Sequence, residues 1–244
     1  MKNIAIIFAG GTGSRMEYTD KPKQFLTLDG KPIIIHTIDK FENCKMIDGI
    51  AIACKEEFIE VMKELLKEFN IQKVEWIVPG GETTQLSVYN ALNAVKNDKR
   101  VFDDSIVLIH DGVRPAIDNQ LILENIVTTR THGSSITVVN AFETILVSED
   151  EVTIDNVLNR ENVFYARAPQ CFYLNDLYKV HVEEKEAGSV NNIDSCSMMN
   201  KKGFSINFVK GKSSNIKITT YEDYYIYKAI YELEQRRKQE VILT

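Results

Sequence analysis

The stretch IAIIFAGGTGSRMEYTDKPKQFLTL, from Ile4 to Leu28, decides how the rest of the chain is read. A continuously apolar run, Ile4 to Phe8, breaks into a turn of small residues: Ala9, Gly10, Gly11, Thr12, Gly13 and Ser14. Arg15 follows at once, and Lys23 comes within a Pro22-Lys23-Gln24 step. A short apolar run bounded by glycines reads as a buried strand. Glycine lets the backbone turn tightly and brings its N–H groups close to oxygen anions, while fixed cations neutralise the remaining charge. The alternatives are a polyphosphate cradle and a plain strand-to-loop turn. Two familiar glycine patterns do not apply. G-x-G-x-x-G would need glycine where Met16 stands, and G-x-x-x-x-G-K-[ST] needs a Gly-Lys pair that this stretch lacks.

Downstream, Pro32 is placed as a first helical residue, followed by Ile33, Ile34, Thr37, Ile38 and Phe41 at helical spacing. Gly49 to Cys54 predicts a second buried strand. Glu56 to Phe69 predicts an amphipathic helix, with Phe58, Ile59, Met62, Leu65, Leu66 and Phe69 on one stripe. A third strand, Val74 to Val78, breaks at Pro79-Gly80-Gly81; a helix from about Thr84 to Val95 and a fourth strand, Ser105 to Ile109, come next. Short, continuously apolar strands alternating with helices predict a parallel sheet covered on both faces.

The second half is less regular. Ser134 to Phe142 predicts a strand, Val163 to Phe172 returns to the core, and Leu174 to Glu186 is helical. Ser205 to Val209 predicts a late strand, and Asp223 to Gln239 a closing helix. Between them, Glu143 to Asn162 is polar and has no helical stripe, which suits a functional or interacting arm. The alternation of Thr144, Leu146, Val152 and Ile154 fits a β-hairpin there.

With 244 residues, 44% hydrophobic and 26% charged, the chain can bury the core of one large α/β domain or two small ones. No linker-like composition divides it, so residues 1–244 are expected to form a single domain. The net charge of −6 gives no broad positive field for nucleic acid. No apolar run is long enough to span a bilayer, and none near Met1 resembles a signal-peptide core, so a cytoplasmic protein is expected. Cys44, Cys54, Cys171 and Cys196 form no C-x-x-C pair; Cys54 and Cys171, within apolar runs, read as buried free thiols.

Ligands of open α/β sheets bind beyond the carboxyl ends of the strands, so the residues that follow each strand are the candidates. The first strand delivers the glycine loop with Arg15 and Lys23. The third delivers Gly80-Gly81-Glu82-Thr83-Thr84 and Ser87, at a helix N-terminus with free N–H groups. The fourth delivers His110-Asp111-Gly112-Val113-Arg114-Pro115, and Arg160, Arg167, Asp194 and Lys217 come later. Each has a second reading: Asp111 as a helix cap, Arg114 as an ion-pair partner, His110 as a packing residue, Gly80-Gly81 as a turn only, Asp194 as a loop aspartate, Lys217 as a solvated lysine.

Taken together, AGGTGSRM (9–16), KPKQFLTLDGKPIIIHTIDKF (21–41), GGETTQLSVYNAL (80–92), HDGVRP (110–115), ETI (143–145), APQCF (168–172) and NIKITT (215–220) resemble one family. It is that of the cytidylyltransferases joining CMP to a polyol phosphate. Its branches are the methylerythritol-phosphate enzyme of isoprenoid synthesis and the ribitol-5-phosphate enzyme of wall and capsule polymers. The resemblance implies a doubly wound, mostly parallel sheet of the Rossmann-like nucleotidyltransferase type. It also implies a homodimer in which an arm at about 143–162 reaches the partner's site. Ala9, Gly10, Gly11 and Gly13 would wrap the CTP phosphates, with Arg15 and Lys23 neutralising them. Gly80, Gly81, Glu82 and Ser87 would read cytosine, and Asp111 would lie near the ribose or the metal. Arg160 and Thr144 from the neighbouring subunit, with Lys217, would hold the acceptor, and Mg²⁺ would assist.

The chain departs from the family pattern at four places: Thr84 stands where an arginine is usual, Ala168 for a threonine and Glu143 for an aspartate, and Leu146 stands near a frequent lysine. The Ala-Gly-Gly start, Phe25 and Val113 are closer to the ribitol-phosphate branch. Two other classes stand beside this reading: a dinucleotide-dependent oxidoreductase, and a nucleotide-binding protein with impaired catalysis.

Overall fold

A computed structural model describes residues 1–10 and 22–242. Gly11, Gly13 and Arg15 lie outside the described residues. The first half runs β1 (Asn3–Ala9), β2 (Thr27–Leu28), β3 (Lys31–Pro32), α1 (Ile33–Glu42), β4 (Gly49–Cys54), α2 (Ile59–Glu68), β5 (Val74–Pro79), α3 (Thr84–Lys96) and β6 (Ile106–Asp111). The second half runs α4 (Asn119–His132), β7 (Ser134–Asn140), β8 (Ile145–Val147), β9 (Asn156–Leu158), β10 (Phe164–Tyr173), α5 (Leu174–Glu186), α6 (Ser195–Lys201), β11 (Phe208–Lys210) and α7 (Tyr221–Ile242).

Among the described residues seven strands form one sheet, in the order β11-β7-β10-β6-β1-β4-β5. All run the same way except β10, which is antiparallel to both β6 and β7. Side chains of β1 alternate between the two faces, as a strand's period of two requires. Ala5 and Ile7 pack with Ile34, Ile38 and Phe41 of α1 and with Ile122 and Ile126 of α4. Ile4 and Ile6 pack with Val88 and Leu92 of α3 and Leu177 of α5. Each such aliphatic side chain, fully withdrawn from water, stabilises the fold by roughly 1.5–3 kcal/mol.

Register then places the loops. Ala9 lies beside Cys54 and Cys54 beside Pro79. Phe8 lies beside Asp111. The carboxyl ends of β1, β5 and β6 therefore lie along one edge of the sheet. On β10 the pairing with β7 jumps from Ala166↔Val138 to Gln170↔Ile136. Three residues of β10, Arg167 to Pro169, thus stand against one of β7 and bulge from the ladder at that same edge.

Most expected elements are present, with corrections. Pro32 is not the first helical residue: it pairs with Thr27 in a two-stranded ribbon, and α1 begins at Ile33. Residues Glu56–Phe58 form a separate 3-10 turn ahead of α2. The strand expected from Ser205 forms at Phe208–Lys210. The arm is a hairpin, but β8 pairs with Asn156–Leu158, leaving Val152 and Ile154 exposed. Helices α4 and α6 had no counterpart among the expectations. The buried face of α4 alternates Leu121, Ile122 and Ile126 with Asn125 and Thr129. Its polar members bond to Thr137 and Ser135 of β7, so no clean apolar stripe marks the helix. All four cysteines are buried free thiols.

Candidate active site

The turn after β5 is built around one hydroxyl. Ser87 Oγ accepts from the Gly81 N–H at 3.0 Å and donates to the Thr83 carbonyl at 3.0 Å. Thr83 caps α3, its Oγ1 accepting from the Leu86 N–H at 3.2 Å. Gly81 can only be glycine here, because a Cβ would lie 2.3 Å from Leu86 Cβ and 2.9 Å from its carbonyl carbon. On the opposite side, Gln24 Nε2 donates to the Ala9 carbonyl at 3.2 Å, fastening the Lys23–Phe25 turn to the end of β1. A cleft of about 310 Å³ lies between these two turns, lined by Ala9, Gly10, Lys23, Gly81, Glu82, Ser87, Asp111 and Lys217 among others.

Asp111, at the end of β6, is the electrostatic centre of that edge. Lys217 Nζ lies 2.6 Å from Oδ1 and Arg114 Nε 2.7 Å from Oδ2. Burial alone would raise the Asp111 carboxyl, but Arg114 and Lys217 outweigh it and hold the pKa at about 2. It is therefore a carboxylate at any physiological pH. Backbone contacts fix both cations: Ile218 N donates to the Val113 carbonyl at 2.9 Å, and Arg114 Nη1 donates to the Asn215 carbonyl at 3.0 Å. Asn215 in turn donates to the Ala168 carbonyl at 2.8 Å, linking the segment before α7 to the bulge of β10.

A second cavity, of about 270 Å³, adjoins the first and shares Phe8, Thr84, Asp111 and Lys217 with it. Its other walls come from the β10 bulge (Arg167, Ala168), from α5 (His181) and from the start of α6 (Asp194, Ser195). Burial holds the His181 ring down at about 4, against a weaker upward pull from Glu184, so the imidazole is neutral near pH 7.

The structure thus gathers Ala9, Gly10, Lys23, Gly81, Glu82, Ser87, Asp111 and Lys217 at one edge. Gly80 stands beside them, its N–H donating to the Cys54 carbonyl at 2.7 Å. Thr144 and Arg160 are not brought in by their own chain. Thr144 is exposed beside β8. Arg160 sits at a separate hollow with Val139, Phe142 and Lys210. Asp111 caps no helix, since Asp118 caps α4. His110 packs edge-on against Phe41, and Asp194 caps α6. Sequence reading passed over His181 as a site residue. Its signal was a histidine at the helical spacing of Leu174 and Leu177, on an otherwise apolar stripe.

A mostly parallel sheet with two adjoining cavities along one row of strand ends is the ligand-binding edge of a doubly wound α/β protein. Within that class, the family model for 2-C-methyl-D-erythritol 4-phosphate cytidylyltransferase (IspD) matches residues 3–233, and the chain belongs to this family of CTP-dependent enzymes. A ribitol-5-phosphate cytidylyltransferase of Vibrio parahaemolyticus is 46% identical over 96% of this chain and 97% of its own length. A 2-C-methyl-D-erythritol 4-phosphate cytidylyltransferase of Clostridium acetobutylicum is 36% identical over 91% and 94%. Among solved structures, the 4-diphosphocytidyl-2C-methyl-D-erythritol synthase of Anaerococcus prevotii superposes with a TM-score of 0.80 at 28% identity, covering 95% of this chain and 96% of that one. Membership of this family sets the oxidoreductase alternative aside. No helix among the described residues is long and apolar enough to cross a membrane.

Proposed function

We propose that the chain transfers CMP from CTP to D-ribitol 5-phosphate, releasing pyrophosphate and a CDP-polyol, with 2-C-methyl-D-erythritol 4-phosphate as the second acceptor in rank. The observation that carries this reading is the wall of Phe8, Thr84, Asp111 and Lys217 common to the two cavities. In this reading the nucleotide occupies the cleft between the glycine turn and the Lys23–Phe25 turn and the acceptor the adjoining cavity, so the two reacting phosphates meet at Lys217. A phosphate oxygen of the acceptor attacks the α-phosphorus of CTP, the bond to the β-phosphate breaks, and pyrophosphate carries the electron pair away. Near neutral pH that oxygen is already largely ionised, so no strong general base is needed. The task is to bring two anions together and stabilise the added charge, which fixed cations do by position. Lys23 and Lys217 are the described lysines at the cleft.

Ribitol ranks first for two reasons. Four relatives named for it are 42–46% identical over nearly their whole length and a fifth is 35% identical, against 36% for the methylerythritol relative. The Ala9-Gly10-Gly11 start, Phe25 and Val113 also resemble the ribitol-phosphate branch of the family.

A divalent cation fits this edge. No cluster of three or more metal-ligating side chains occurs among the described residues. Mg²⁺, however, is commonly held by one or two carboxylates together with substrate phosphates. Asp111 is such a carboxylate, with lone pairs left over after its contacts to Lys217 and Arg114. Mg²⁺ bound there would neutralise triphosphate charge. In this reading residues 1–244 act as one domain and as a homodimer. The arm at about 143–162 carries Thr144 and Arg160 to the partner's acceptor cavity, a reading supported by their absence from the walls of the two adjoining cavities of their own chain.

Pyrophosphate release with CTP and Mg²⁺, measured separately with each acceptor and with UTP and ATP as controls, tests the reading. Turnover is expected with CTP and greatest with ribitol 5-phosphate. Preference for UTP or ATP, or for the methylerythritol acceptor, would overturn it.

A further inference from the structure

The polar side chains around the second cavity fall into two sets. Gln170 donates to Asp194 at 3.0 Å and accepts from the Cys196 N–H at 3.0 Å. Asp194 caps α6, and Gln85 bonds to the Ser189 carbonyl and the Asn192 N–H. These groups hold α3, β10 and α6 together. The other set has no such use. Neither ring nitrogen of His181 has a hydrogen-bond partner among the described residues, although the side chain is 1% exposed. Nε of Arg167 is likewise buried and without a partner. Burial and the neighbouring Arg114 both work against the charge on Arg167.

Leaving such groups unsatisfied costs free energy, and a ligand group that pairs with them in this cavity would relieve that cost. A neutral imidazole offers one donor and one acceptor, the complement of a hydroxyl group. A guanidinium beside a second cation is the complement of an anionic oxygen. Both residues line the cavity, Arg167 partly exposed and His181 buried. At about 270 Å³ the space is small for a ligand site, which suits an acyclic polyol phosphate.

We infer that Arg167 and His181 are specificity-determining residues for the acceptor, Arg167 binding an anionic oxygen and His181 a hydroxyl of the polyol chain. This rests on the acceptor reading given above. It gives that reading a chemical basis in residues that the family resemblance did not supply.

The test is steady-state pyrophosphate release with the whole enzyme and saturating CTP, using ribitol 5-phosphate and the shorter erythritol 4-phosphate as acceptors. His181→Leu is expected to raise the ribitol 5-phosphate KM about tenfold and to lower the preference for the longer acceptor by a similar factor. His181→Gln, which keeps a donor and an acceptor, should recover most of both. Arg167→Ala is expected to raise the acceptor KM about 10- to 100-fold, with partial recovery in Arg167→Lys. The CTP KM should stay within about twofold throughout, since the inference places neither residue at the nucleotide. Unchanged acceptor KM and chain-length preference would overturn the inference while leaving the proposed function standing. Equal changes in both KM values would do the same, as the mark of a purely structural role. A wild-type enzyme inactive on every polyol phosphate would overturn the two together. Should His181→Leu fail to fold, the Arg167 pair, on a partly exposed side chain, carries the test alone.

Discussion

Asp111 sits between two cations and is shared by both cavities, so the residues touching it are where single substitutions should act most strongly. Lys217→Ala removes the lysine nearest both proposed phosphates but leaves Arg114 against Asp111 Oδ2. The carboxylate stays paired, and the fold should survive. Turnover is expected to fall by about 10²–10³, the usual cost of losing one charge-stabilising group. CTP affinity should change far less; steady-state kinetics with CTP titration by calorimetry separates the two. A second effect at this scale concerns pH. The His181 pKa lies at about 4 in the folded protein, lowered by burial from an ordinary 6.5. Between those values the unfolded chain binds the proton and the native state does not, so stability falls as pH drops through this window. From pH 7.5 to pH 5 the wild type is expected to lose roughly 2 kcal/mol more than His181→Leu, which has no proton to bind. Urea melts at the two pH values measure the difference; equal losses would remove the burial argument for His181.

At the level of elements, the turn between β5 and α3 shows what the glycine pair is for. Gly81→Ala drives a methyl into Leu86, and because backbone atoms form part of the clash the turn must move. A stability loss of about 1–3 kcal/mol and a raised CTP KM are expected together. Thr83→Ala, which removes the α3 cap and the hydroxyl's bond to the Val190 carbonyl, should cost about 1–2 kcal/mol with a smaller change in KM. Thermal melts beside CTP kinetics distinguish a moved turn from a frayed helix. The turn was legible in the sequence because glycines break an apolar run so sharply. The first four strands of the main sheet were legible for the same reason. Helix α4 was not, since Asn125 and Thr129 interrupt its buried face and bond across to Thr137 and Ser135 of β7. The antiparallel course of β10 was equally hidden, because an apolar run carries no direction. In the site, Asp111 and Lys217 could be picked out from motifs after strand ends. Their 2.6 Å contact depends on pairing between segments about a hundred residues apart. His181 was missed because a buried histidine on a helix stripe looks like packing until the cavity beside it is seen.

The molecule as a whole bears on the placement of Thr144 and Arg160. Both project on or near an arm whose Leu146, Val152, Ile154 and Val157 are exposed, and neither lines the two adjoining cavities that share Asp111 and Lys217. A hairpin of this kind is only marginally stable in water by itself, so an apolar face on it calls for a second surface. If that surface is another copy of the chain, each active site combines the Lys217 of one subunit with the Arg160 of the other. Lys217→Ala and Arg160→Ala should each be nearly inactive alone. When the two are co-expressed, half of the dimers are mixed, and each mixed dimer holds one site with both residues intact and one with neither. Activity is then expected to return to about a quarter of wild type, as two-fold symmetry with random pairing dictates. If Arg160 served its own subunit's site, every site in the mixture would lack one residue or the other. The mixture would then show no more than the average of the two variants. The comparison needs only the two tagged variants, co-purified, and the same pyrophosphate assay, and it decides between an arm that completes the neighbouring site and one that does not.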